Sequence, residues 1–171
     1  MNATTLNSTG ETFLFGFGET GIGSVLVATS PWGVTAILLG DDKSRLCREL
    51  AGAFPTVRLV EDADQTAVTV AKVAAFVDAP HTSLDMRGSA LELAVWRALQ
   101  AIPSGETRTY GSLAKGLAIP ATAQDVGAAC AANVLAVAIP CHRVVKADGS
   151  MSGYRWGVHR KRRLINLEGV A

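Results

Sequence analysis

Apolar and polar residues alternate along Thr12–Phe17, and two short apolar, partly β-branched runs follow at Ser24–Thr29 and Val34–Leu39. Gly18, Gly21, Gly23, Pro31 and Gly33 punctuate them, so this stretch predicts three strands joined by tight turns. The period then lengthens from two to about 3.6 residues. Leu46, Leu50 and Ala53 share a stripe within Asp41–Phe54, and Ala67, Val70, Ala74 and Val77 share one within Ala63–Val77, which predicts two amphipathic helices. Between Ala79 and Gly88 the pattern lapses at Pro80, His81 and Asp85. A boundary is expected there, dividing the chain into residues 1–82 and 83–171.

The second part reads as mainly helical. Ala90, Leu91, Ala94, Val95, Ala98, Leu99 and Ile102 form one apolar face, ended by Pro103 and Gly105. A short helix over Tyr110–Leu117 and a small-residue helix over Thr122–Ala132 are joined through Ala118-Ile119-Pro120, the outline of a helix-turn-helix. Thr122 and Asp125 have the spacing of a capping box at the start of the second helix. A last helix opens on His159-Arg160-Lys161-Arg162-Arg163 and runs to Leu167. Cations in a first turn oppose the helix dipole, so a compensating anion is expected, either phosphate or the acidic first half. The pattern as a whole predicts an α+β chain.

Composition narrows the class. The chain has 171 residues, 49% hydrophobic and 18% charged, which describes a packed globular protein. No apolar run approaches the ~18 residues that span a bilayer. Met1–Gly10 is polar and uncharged, without a secretory leader's basic start and apolar stretch. Cys47, Cys130 and Cys141 are odd in number and far apart, which fits a reduced, cytoplasmic setting. They cannot supply a four-cysteine zinc site, and the histidines lack ligand spacing, so no metal is expected. Net charge is +1, yet residues 1–85 hold five Lys/Arg against ten Asp/Glu, and residues 86–171 hold eleven against five. Either the basic half faces a polyanion or the halves attract each other.

The candidate chemistry lies where the apolar run Val134–Ile139 ends at Pro140-Cys141-His142-Arg143-Val144. Proline fixes φ, so Cys141 can be held at a rigid turn. A free thiol with a pKa of ~8.5 is only a few per cent thiolate at neutral pH, and cationic neighbours favour the reactive form. Cys-His adjacency alone favours an ordinary buried structural cysteine, and Cys130, set among alanines, reads as core.

Several motifs join this turn: Arg87-Gly88, Gly105-Glu106-Thr107, Tyr110-Gly111-Ser112-Leu113-Ala114, Ala131-Ala132-Asn133, Tyr154-Arg155-Trp156-Gly157, Leu164 and Glu168. Together they resemble the O6-alkylguanine-DNA alkyltransferases, most closely the C-terminal domain of the Ada type. Gly33–Gly40 is similar to part of that family's first subdomain. The resemblance implies a ribonuclease-H-like N-terminal α/β subdomain followed by a mainly helical subdomain with a winged-helix-like helix-turn-helix. It implies a single-use reaction without cofactor, in which the Cys141 thiolate takes the alkyl group from guanine O6, and also from thymine O4, of a flipped-out base in double-stranded DNA. His142, oriented by Glu168, would take the thiol proton through a water. Tyr110 would donate to guanine N3, and Asn133 would tie the second helix to the cysteine turn. Gln124, Ala128, Ala131, Arg143, Tyr154, Arg155 and Trp156 would meet DNA or substrate, the small alanines allowing close approach in the minor groove. The protein is expected to be monomeric and not membrane-bound.

One position departs from the family. An arginine that normally fills the space of the flipped base is replaced by Gln124, followed by the acidic Asp125. Weaker base flipping is expected, and with it an alternative, a damage sensor that binds without repairing. The lip Tyr154-Arg155-Trp156 carries bulk, which predicts a narrow pocket preferring methyl over benzyl groups. Glu168, near a negative helix end, calls for a cationic partner. A Cys-His-Glu hydrolase is the third reading.

Overall fold

β1 (Thr12–Thr20), β2 (Gly23–Ser30) and β3 (Gly33–Gly40) form an antiparallel meander, with Leu14 opposite Thr29 and Leu26 opposite Leu38. This computed structural model describes residues 10–75 and 83–169. Gly23 and Gly33, with φ of 119° and 150°, turn the chain after β1 and β2. α1 (Lys43–Ala53) starts at Asp42, whose carboxylate accepts from the amides of Ser44 and Arg45, and it buries Leu46 and Leu50 against β3 and β2. β4 (Arg58–Glu61) pairs parallel to β1, giving the strand order β3-β2-β1-β4. α2 (Ala63–Ala74), capped by Asp62, lays Thr66, Val70 and Val73 on the sheet. Gly16 permits that approach, because a Cβ there would lie 2.2 Å from Thr66 Oγ1. Phe13, Val25, Leu26, Val27, Ile37 and Leu38 make the centre of this core.

The chain divides into two compact units, Met1–Asp85 and Met86–Ala171. Pro80 and His81, on which the expected boundary partly rests, and Val77, expected to end the second helix, lie outside the described residues. β4 was not expected: Leu59 and Val60 between two charged residues are too short a run to show a period.

In the second unit, α3 (Ala90–Gln100) opens on a full capping box between Ser89 and Glu92. α4 (Tyr110–Gly116) and α5 (Ala123–Ala132) pack on each other, and α5 also packs on α3, where Trp96 Nε1 donates to the Ala129 carbonyl at 2.8 Å. The capping box of Thr122 and Asp125 is formed. α6 (Val158–Leu167) begins after Gly157, whose φ of 100° sets its entry, and buries Leu164 and Ile165. Two very short strands, β5 (Arg108–Thr109) and β6 (Val144–Val145), pair in parallel. The apolar run Val134–Ile139 is a knot of turns. Val137 sits at φ 68° while the Ala138 amide donates to the Ala136 carbonyl at 2.7 Å, a strained conformation for a β-branched residue. The architecture is thus α+β, a sheet with two helices followed by a mainly helical unit.

Candidate active site

Cys141–Arg143 forms a single 3-10 turn straight after Pro140. β6 follows it, and β6 pairs with β5, which runs directly into Tyr110 at the start of α4. This two-residue ladder therefore sets Tyr110 in register with the cysteine turn. Asn133 supplies the second tie. It ends α5 with its own backbone, and its buried side chain accepts from the Leu135 amide at 2.8 Å and donates to the Ile139 carbonyl at 3.0 Å. The same amide nitrogen reaches Cys141 Sγ at 3.3 Å.

Cys141 is buried, 4% exposed. Burial raises its pKa, while the Asn133 hydrogen bond and the cations of Lys161 and Arg155 pull the other way. The net direction is upward, so the resting group is a thiol. The expectation of a cation-stabilised thiolate is corrected here: desolvation outweighs the neighbouring charges.

His142, also fully buried, faces Glu168 with Nε2 2.8 Å from Oε1. Burial lowers the imidazole pKa, against the raising effect of Glu168. Burial would raise the Glu168 pKa, but hydrogen bonds from His142 and Arg143 and their charges outweigh it and bring it down to about 2. An ionised carboxylate can only accept, so Nε2 carries the imidazole proton and Nδ1 presents a lone pair. Nδ1 is buried without a hydrogen-bond partner among the described residues. A neutral base with its acceptor nitrogen unoccupied, next in sequence to a thiol, is equipped to remove that thiol's proton.

Cys141 opens on a cavity of about 380 Å³. Tyr110 lines it from α4, Gly127, Cys130 and Ala131 from α5, and Gly153, Tyr154 and Arg155 from the loop before α6. This lies near the lower end of small-molecule pockets, about 300–1,000 Å³, which suits one nucleobase better than a bulky ligand. Arg155 is anchored by donating to the Ala131 carbonyl at 2.9 Å, at the negative end of α5.

The family description "6-O-methylguanine DNA methyltransferase, DNA binding domain" matches residues 90–170. The bifunctional transcriptional activator/DNA repair enzyme Ada of Escherichia coli is 46% identical over 86% of this chain. A methylated-DNA–protein-cysteine methyltransferase of Mycolicibacterium paratuberculosis is 49% identical over 50% of it. The chain spans 43% of the length of the first and 52% of the second. Among solved structures, Mycobacterium tuberculosis OGT in complex with DNA superposes with a TM-score of 0.72 and 31% identity, covering 92% of each chain. This chain belongs to the O6-methylguanine-DNA methyltransferase family. The M. tuberculosis O6-methylguanine methyltransferase gives a TM-score of 0.73 at 29% identity, covering 91% of this chain and 92% of the other.

Within this methyltransferase frame, Cys141, His142, Glu168, Asn133 and Tyr110 all lie in one unit, and hydrogen bonds join the first four in two pairs, Asn133 with Cys141 and His142 with Glu168. Gln124, Ala128 and Ala131 lie on the exposed side of α5 at i, i+4 and i+7, and of the three Ala131 reaches the cavity. Three sequence readings need correction. Arg143, expected on DNA, is turned inward: Nε and Nη2 hold the Glu168 carboxylate at 3.0 Å and 2.7 Å, and Nη1 donates to the Ile102 carbonyl at 2.7 Å. It is the cationic partner that Glu168 called for. Trp156, expected at the lip, is core, 4% exposed, with its ring edge-on to Tyr154. Cys130, read as core, lines the cavity, and burial together with the nearby Cys141 pushes its pKa up to about 12.

The basic run at the start of α6 also divides. Arg160 donates to the Trp156 carbonyl at 2.9 Å, and Lys161 is wholly buried with Nζ 2.6 Å from Ser152 Oγ. Lys161 was not singled out from the sequence. A signal was there: 161, 164, 165 and 168 share one helical stripe, so the face burying Leu164 and Ile165 takes Lys161 with it.

Proposed function

We propose that this chain reverses DNA alkylation by one irreversible transfer, from O6 of guanine, and from O4 of thymine, to Sγ of Cys141. The base enters the cavity flipped out of duplex DNA, at a cost of a few kcal/mol for unstacking. His142 takes the thiol proton at Nδ1, through a water in the reading carried over from the family. The thiolate attacks the alkyl carbon, an S–C bond forms, and the C–O bond breaks with its electrons left on the base. The thiol's proton ends on the guanine ring. Glu168 and Arg143 keep the imidazole oriented, and a hydrogen bond from Tyr110 to ring N3 offsets charge developing on the leaving base. The thioether cannot be cleaved by any of these groups, so each molecule acts once.

The observation that carries this reading is a buried thiol on the cavity wall that receives the Asn133 amide on its sulfur and is followed in sequence by a neutral imidazole whose buried Nδ1 has no partner among the described residues. Intact mass after incubation with methylguanine DNA tests it. A gain of one methylene mapped to Cys141, absent in Cys141→Ser, is expected. Tight binding without an adduct would convert the protein into a damage sensor, a reading supported only by Gln124. Acyl hydrolysis without an adduct would make it a hydrolase.

The α4–α5 pair is read as the DNA-contacting helix-turn-helix, with the exposed alanines of α5 entering the minor groove. Restoring an arginine by Gln124→Arg raises the repair rate on duplex relative to single-stranded DNA. The tethered Arg155 and Tyr154 narrow the cavity, so methyl groups are transferred faster than benzyl groups. In the first unit, three antiparallel strands followed by a helix and a parallel fourth strand support the ribonuclease-H-like reading.

A further inference from the structure

Lys161 is the largest charged side chain fully removed from solvent among the described residues, and none of the steps above uses it. Its Nζ donates to Ser152 Oγ at 2.6 Å, with the Gly153 carbonyl at 3.5 Å a much weaker second partner. Ser152 Oγ in turn touches the Tyr110 hydroxyl and lies 3.4 Å from the Val144 carbonyl. A buried lysine amine, its pKa lowered by desolvation from its ordinary value, is thus connected to a cavity-lining phenol through one serine hydroxyl.

The hydrogens of this chain can be assigned by counting. A serine hydroxyl has one proton and two lone pairs, and Lys161 fills one lone pair because a protonated amine only donates. The serine proton then has two acceptors to choose from. The Val144 carbonyl, at 3.4 Å, is beyond the normal O–H···O range and the Tyr110 oxygen is the nearer acceptor, so the proton is assigned to Tyr110. Tyr110 therefore accepts from Ser152, and its own proton is left to point into the cavity. All three donors run in one direction, Nζ to Oγ to Oη to cavity, and each polarises the next. Burial also holds the Tyr110 pKa above its ordinary value, so this proton is in place when a base arrives.

We propose that Ser152 and Lys161 are positioning residues that aim the Tyr110 proton at the ring edge of the bound base and charge-assist its hydrogen bond. This deepens the alkyl-transfer reading and rests on it. The ammonium's effect would be felt most as the purine gains electrons in the transition state, which places it in the rate of transfer and not in affinity. Ser152 would then do for Tyr110 what Glu168 does for His142, fixing which atom faces the reactant.

A double-mutant cycle on single-turnover transfer tests this. Ser152→Ala should slow transfer on the order of tenfold in the parent, with affinity for methylguanine DNA changed less than about twofold. In a Tyr110→Phe background the same change should cost less than about twofold, and Ser152→Thr should restore most of the parent rate. An equal loss in both backgrounds would make Ser152 merely structural and overturn the proposal, as would a full rate in Ser152→Ala. Ser152→Gly serves if the alanine variant does not fold, judged by its thermal unfolding midpoint. Lys161→Met should lose more rate in the parent than in Tyr110→Phe; an equal loss would confine Lys161 to its effect on the thiol and remove it from the relay. Absence of any Cys141 adduct in the parent would instead defeat the alkyl-transfer reading itself, so the two failures are distinguishable.

Discussion

The two units bury different things. Among the described residues, the first unit hides almost nothing but hydrocarbon, its buried polar side chains being the small hydroxyls of Ser24, Thr35 and Thr66. The second unit buries Asn133, His142, Ser152, Arg160 and Lys161, an amide, an imidazole, a hydroxyl and two cations. Apolar burial is non-directional and roughly proportional to area, so such a core tolerates exchange of one aliphatic group for another. Buried polar groups are directional, and leaving one unpaired costs about 1–3 kcal/mol. The contrast teaches where specificity is held: the sheet unit is a packed body, while the helical unit spends part of its stability on keeping reactive groups dry and oriented.

The largest test of that contrast is Asn133→Ala. It strips the Leu135 amide of its partner and leaves the Ile139 carbonyl with the Cys141 amide alone, so a destabilisation of about 2 kcal/mol is expected from one buried orphan and one weakened acceptor. Transfer should slow by about a hundredfold, since the α5 end and the cysteine turn lose their tie. Urea unfolding and single-turnover kinetics measure the two, and a mild loss in both would erase the distinction between the units. Gly16→Ala is the counterpart in the sheet, expected to cost about 2 kcal/mol by driving a methyl into Thr66. Per folded molecule its transfer rate should equal the parent's. A slower rate would mean that the first unit shapes the site.

Acid gives a third, smaller test. His142 and Glu168 both have folded pKa values below their ordinary 6.5 and 4.5. The unfolded chain therefore binds more protons, and stability rises with pH across this window. The contribution is whole above pH 6.5 and is lost as pH falls, first through the His142 value and last through that of Glu168 at about 2. Glu168→Gln should flatten the stability profile below pH 4.5 and cost about 2 kcal/mol at neutral pH by leaving Arg143 without its counter-charge. Unfolding midpoints across a pH series decide it, and an unchanged acid limb would mean that this pair does not report on folding.

The smallest expected effect runs in the opposite direction. Thr35 Oγ1 is buried without a partner among the described residues. Thr35→Val keeps its shape and should stabilise the protein by about 1 kcal/mol with no change in transfer. A destabilisation there would show that the first unit, too, depends on a buried polar contact.

What could be read from the sequence follows the same division. The three meander strands and the six α-helices among the described residues announced themselves through period and punctuation, because each is long enough to show a face. β4, β5, β6 and the 3-10 turn did not, since two to four residues carry no period. Their pairing is decided by what lies beside them in space. At the site, the cysteine turn, Tyr110, Asn133 and Glu168 were recognisable as motif residues. The inward turn of Arg143 was not, because an arginine after Cys-His is equally suited to phosphate. Nor was the Ser152 junction, which joins residues 42 positions apart through a hydroxyl that looks like any loop serine.

The burial of Cys141 has a consequence for storage. On the proposed chemistry the reactive group serves once and must be kept unspent while it waits, among peroxides and other small electrophiles that attack thiolates. With the residue 4% exposed and its pKa raised by desolvation, Cys141 withholds the form those reagents need. The dry wall that makes the nucleophile sluggish at rest is also its preservative. Ageing of an idle population would then be set by how rarely the buried thiol gives up its proton, not by how reactive the thiolate is once formed.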